Sequence, residues 1–204
     1  SDIWTVNGNV AATVLVSMTL YGVFMTTASL ATNAALERTS GISRLYATTP
    51  LSPIANTCAR IGASMGIAVV ITGITYAVGA ATGAKMYASA WIQTPLLILA
   101  SSILASAQGL AIAFVVRSDG AFAASSAVTV FSGFLSGMFI PISQMGSFFQ
   151  AVAPYAPMYG ITSLVQLPLY GWETFKWSYV VNLVAWTLFF ILLAAWAQRR
   201  DTSR

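Results

Sequence analysis

The side chains able to do chemistry are few. The 204 residues hold no histidine, one cysteine (Cys58) and five acids, against nine Lys and Arg. A Cys/His zinc site, a Ser-His-Asp triad and a Cys-His pair are therefore excluded, and Cys58 has no second cysteine in the chain to pair with. One stretch has the outline of a phosphate loop, Gly79-Ala80-Ala81-Thr82-Gly83-Ala84-Lys85. It lacks the Gly before the Lys and the Ser or Thr after it that such a loop requires. No cofactor or metal is expected on this chain. Nucleic acid is not expected either, because the basic residues are scattered between apolar blocks and make no continuous patch.

The elements that carry these residues follow from the apolar blocks themselves. Charged residues make up 7% of the chain and hydrophobic ones 57%, with a mean hydropathy of +0.78. A soluble domain carries about 25% charged residues, so lipid must cover most of this surface. Five apolar stretches, at about 8–35, 57–81, 92–116, 122–140 and 177–197, are each near the roughly 20 residues that a ~30 Å hydrocarbon core demands. They are continuous instead of alternating, which excludes barrel strands. The expectation is an all-α polytopic membrane protein. It comprises one membrane domain over 1–204 with five visible transmembrane helices, a cytoplasmic segment at 36–56 and an outward segment at 141–176.

Orientation follows from the cations. Arg38, Arg44, Arg60, Arg117, Arg199, Arg200 and Arg204 fall at one set of span ends, and only Lys85 and Lys176 at the other. Basic residues favour the cytoplasmic side, which places the 36–56 segment, the 117–121 turn and the C-terminus inside. Trp4, Trp91, Trp172 and Trp177 then gather near the outer interface as aromatic anchors. Five spans leave residue 1 outside. Ser1 is not a methionine and no basic region precedes the first stretch, so a further span upstream is expected.

Two segments are too short to span. In the cytoplasmic one, Ile42, Leu45 and Tyr46 share a helical face, with Arg38 and Arg44 off it, and Pro50 and Pro53 end the helix. Such a helix either lies on lipid headgroups or fits a groove on a soluble partner and passes its movement to both flanking spans. In the outward segment, Met145, Phe148, Phe149 and Val152 follow helical spacing after Pro141. Pro154 and Pro157 interrupt the chain before a second stripe of Ile161, Leu164 and Val165. Two short apolar helices at that depth form a re-entrant hairpin, either an outward gate built on Pro141, Phe148, Phe149, Pro154 and Pro157 or a plug that caps the bundle. Within the spans, Gln108 and Asn182 are expected to hydrogen-bond across helices. Gly62-x-x-x-Gly66 and Gly133-x-x-x-Gly137 read as packing motifs.

Together these segments resemble the membrane subunits of type 2 ABC exporters, including the daunorubicin-resistance class of drug-efflux permeases. One carrier of the resemblance is Glu37-Arg38-x-x-Gly41, continuing through Leu45 to Thr49-Pro50-Leu51. The other is Gly137-Met138-Phe139-Ile140-Pro141-Ile142 followed by Pro154-Tyr155-Ala156-Pro157. The resemblance implies that the cytoplasmic segment is a coupling helix, with Glu37, Arg38, Gly41, Ile42, Arg44, Leu45 and Tyr46 meeting a separate nucleotide-binding ATPase that holds ATP and Mg. It implies a pairing with a second copy or a sister permease, in a bacterial cytoplasmic membrane. It also implies a pathway between the first and fourth spans, with Thr19, Phe24 and Thr27 facing Thr129, Phe131, Phe134 and Met138. That mixture of aromatic, thioether and hydroxyl groups suits an amphipathic cargo such as a drug, an antimicrobial peptide or a lipid-like molecule.

Other classes have different requirements. A glycan exporter of the same architecture calls for a row of aromatic residues along a wider channel. A channel or secondary transporter calls for a filter, intramembrane charge or repeated broken helices. An intramembrane enzyme calls for a cluster of acid, base and nucleophile, while a membrane scaffold calls for none of these.

Overall fold

The computed structural model describes residues 5–39, 41 and 53–202. Seven α-helices follow in order: α1 (Val10–Thr39), α2 (Pro53–Ala81), α3 (Ala88–Val116), α4 (Gly120–Leu135), α5 (Ser147–Val152), α6 (Tyr159–Tyr170) and α7 (Trp177–Thr202). Short 3-10 turns at Ile142–Gln144, Ala153–Tyr155 and Trp172–Thr174 join the last four. Among the described residues the only strand-like feature is one isolated bridge between Gly8 and Met86. The protein is an all-α polytopic membrane protein.

Four helices are long and apolar enough to cross a bilayer: Val10–Glu37, Gly62–Ala81, Ala88–Val116 and Trp177–Arg200. α4 is different. The apolar run 122–140 continues past the helix, which stops at Leu135 after 16 residues. At 1.5 Å per residue that is about 24 Å, short of a ~30 Å core. The stop lies in the backbone: Gly137 sits at φ +83°, a conformation costly for a residue with a Cβ. A Cβ at that position would also stand 2.8 Å from Ile142 Cγ1. Beyond it the chain folds back, so that the Phe139 and Phe134 rings lie 4.8 Å apart.

The helices are not equal partners. α1 and α3 form the inner pair, with 50% and 56% of their apolar stretches buried, against 22% for α2 and 11% for α7. Their closeness depends on Gly109, where a Cβ would come within 2.3 Å of the Ala28 carbonyl oxygen. The expected packing motif on α2 points elsewhere. Gly62 and Gly66 have no atom within 4 Å of their Cβ positions, so they face away from the bundle. Gly133 meets the Phe139 ring of the folded-back chain.

At the arginine-poor end the connections are stitched together. Asn9 N–H donates to Lys85 O at 2.9 Å, Asn7 N–H to Leu169 O at 2.9 Å, and Tyr87 N–H to Asn7 O at 3.0 Å. The Asn9 side chain accepts from Ala12 N and Lys85 N and donates to Gly83 O. One buried amide therefore caps α1 and fixes the α2–α3 turn, and Lys85 of the phosphate-loop outline belongs to this stitching. At the opposite end Arg117, left-handed at φ 56°, donates to Phe114 O and Ala197 O, each at 3.0 Å. It thereby caps α3 and ties it to α7, a favourable position for a cation.

Candidate functional site

At the arginine-rich end α1 ends at Thr39 and α2 begins at Pro53. Of the residues expected to couple, Glu37 and Arg38 lie in the last turn of α1, and Gly41 follows at φ +80°. Ile42, Arg44, Leu45 and Tyr46 lie outside the described residues. The Glu37 carboxylate is engaged on both oxygens. Oε1 accepts from Asn33 Nδ2 one turn earlier at 3.2 Å, and Oε2 pairs with the Arg60 guanidinium on α2. Arg60 carries no site role in the sequence reading, since nothing in its surroundings there distinguishes it from a topology signal.

The face between α1 and α4 divides its expected pathway residues in two. Thr19, Phe24 and Thr27 on α1 are buried, as are Thr129 on α4 and Met138 beyond it. Thr19 satisfies its hydroxyl on its own helix, donating to Leu15 O at 2.7 Å. Thr129 donates to Ser125 O at 3.0 Å and accepts from Gln108 Nε2 of α3 at 2.8 Å. Phe131 and Phe134 are open, at 70% and 46% exposure. With Ala123 and Ala127 they form the outer stripe of α4, while Val10, Val14 and Met18 form an exposed stripe of α1. Tyr21, which is not among the expected pathway residues, places its ring 5.4 Å from that of Phe139, which in turn lies against Phe134. Its spacing from Val14 and Met18 is the signal that could have found it.

In the outward segment the two short helices behave differently. α5 buries none of its residues; Phe148 and Phe149 stack edge to face, 5.5 Å apart, on its exposed side. Pro141 leads into the first 3-10 turn. Pro154 and Pro157 lie at the break before α6, Pro154 exposed and Pro157 half-buried. α6 instead is driven into the bundle on Ile161, Val165, Leu167 and Leu169. Polar contacts hold it from three sides. Ser136 and Thr162 share a hydrogen bond at 3.3 Å, Gln166 Nε2 donates to Ser17 Oγ at 3.0 Å, and Gly160 N–H donates to Asn182 Oδ1 at 2.9 Å. Asn182 Nδ2 donates in turn to Pro154 O and Ala156 O. Gln108 and Asn182 thus both hydrogen-bond across elements.

The arrangement has two helix ends, of α1 and α2, close together at one side, a wedged short helix at the other, and an apolar face carrying two open phenyl rings. Every buried polar residue described is Asn, Gln, Ser or Thr. Such a frame can bind and move as helices, without a proton-relay group among those buried positions. No curated protein and no solved structure matches the chain. The family model described as ABC-2 family transporter protein matches residues 5–196, nearly the whole length. The chain therefore belongs to the ABC-2 transporter family, as one of its multi-pass membrane permeases.

Proposed function

We propose that this permease is the membrane half of an ATP-driven exporter. A separate nucleotide-binding subunit, which binds ATP with Mg, supplies the energy of hydrolysis, and the 36–56 segment receives its movement. The permease works as a pair, with a second copy or a sister permease, in a bacterial cytoplasmic membrane with its C-terminus inside. The observation that carries the reading is the family match over residues 5–196. Seven arginines against two lysines at opposite span ends support the orientation. Neutral buried polar groups support an external energy source, because proton-coupled pumps rely on intramembrane acids and bases. The open Phe131 and Phe134 favour an amphipathic cargo, of the drug, antimicrobial-peptide or lipid-like kind.

ATP turnover by the assembly purified in lipid tests this. We expect an ATPase to co-purify with the native chain, and Arg44→Ala to release it or to lower turnover severalfold. If the intact chain brings down no ATPase activity, the exporter reading fails.

A further inference from the structure

The described side chains at the end of α2 nearest Pro53 are thinly covered. None of the described side chains between 59 and 67 is buried, and Gly62 and Gly66 face open space. α2 first packs at Ala68, and continues through Thr72 and Tyr76 toward the far end. What reaches across to this unpacked end is the Arg60–Glu37 ion pair, from 23 residues away in sequence. Asn33 orients the carboxylate from one turn back on α1. Both partners are shielded in part, with side-chain exposures of 36% for Arg60 and 24% for Glu37. They lie where the apolar stretches end, at Glu37 and just before Gly62, so bulk water screens them less than it screens a free surface pair.

We propose that the Glu37–Arg60 pair is a tie that makes the loop-side end of α2 move with α1, so that a push on the intervening loop reaches both helices together. Glu37 is then a positioning residue for the loop. Its part in transmission rests on the exporter reading above; the tie itself does not. Without the pair, the described side chains offer no other salt bridge between the two helix ends, and a force on the segment reaches α2 less directly.

In a Cys58→Ser background, a nitroxide label can be placed in the full assembly in lipid by Ala63→Cys, at a position exposed on α2 one turn from Arg60. With the pair intact the label should be restricted. Glu37→Gln and Arg60→Met should each raise the mobile fraction about two- to fivefold, the range expected for a partly exposed ion pair. The charge exchange Glu37→Arg with Arg60→Glu should restore restriction, an outcome that separates a tie from general damage to the fold. Unchanged spectra in the single variants, or a double variant as mobile as they are, overturn the proposal. A rise for Arg60→Met with Glu37→Gln unchanged overturns it too, and would mean that Arg60 is held by lipid phosphate instead. Turnover on the same samples keeps the two readings apart. The spectral pattern without any co-purifying ATPase removes the exporter and leaves the tie. A bound, active ATPase with unchanged spectra removes the tie alone.

Discussion

Asn182 and Gln108 are similar amides in similar surroundings, yet their neighbours use them differently. Asn182 donates twice, to Pro154 O and Ala156 O, and accepts from Gly160 N–H. Gln108 makes its cross-helix bond to Thr129 through Nε2, while its Oε1 has no partner. Replacing Asn182 by Leu orphans a buried backbone N–H, which costs about 1–3 kcal/mol, besides the bonds lost. Replacing Gln108 by Leu removes the bond to Thr129 and a longer one to Ser125 O at 3.4 Å, about 0.6 kcal/mol each on average, together with an acceptor that was unpaired anyway. Asn182→Leu is therefore expected to lower the unfolding midpoint in detergent clearly more than Gln108→Leu. Equal shifts would mean that the three Asn182 bonds contribute little. That both amides bond across elements is legible in the sequence, because a polar group inside a span needs a partner. The partner of Asn182 is not legible, since it is the backbone of a proline-broken segment 22 to 28 residues away.

At the scale of elements, a glycine's worth depends on which way its helix faces. Gly109→Ala would push a methyl group against the Ala28 carbonyl and the Ala31 side chain. Overpacking of that kind costs roughly 1–3 kcal/mol and should separate α1 from α3. Gly62→Ala and Gly66→Ala meet nothing within the chain and gain up to about 1 kcal/mol of helix propensity each. Thermal unfolding of the three variants in lipid should therefore move in opposite directions. A loss at Gly62 or Gly66 as large as at Gly109 would reveal a partner helix on that face. Helix existence was legible in the sequence because a continuous apolar run has one stable backbone solution in lipid. The end of α4 was less so: hydropathy runs on to Ile140, whereas the left-handed turn at Gly137 depends on Ile142 and Phe139 folding back. For the same reason Phe131 and Phe24 looked alike. A phenyl ring has one hydropathy whether it faces lipid or the core, and only packing separates the open one from the buried one.

Across the whole molecule, the loop-side helix ends and the stitched connections lie at opposite ends. Arg117 joins the last turns of α3 and α7, while Asn9 joins the start of α1 to the α2–α3 turn. In a Cys58→Ser background, Thr82→Cys and Ser118→Cys should react with a membrane-impermeant thiol reagent from opposite sides, Thr82→Cys from outside intact cells. Labelling of both from one side would break the proposed topology. The charge bias carried this order in the sequence, because each cation marks a span end independently of how the spans pack. The lopsided attachment of α2 was not encoded that way. Stitched at one end, and with no buried side chain among the described residues of the other before Ala68, α2 has the geometry of a lever arm pivoting at the arginine-poor end. Its 29 residues give it a length of about 43 Å, so a swing of about 5° carries Pro53 through about 4 Å. The same swing leaves the turn at Gly83 almost stationary, and with Glu37 paired to Arg60 the loop-side end of α1 would travel with it.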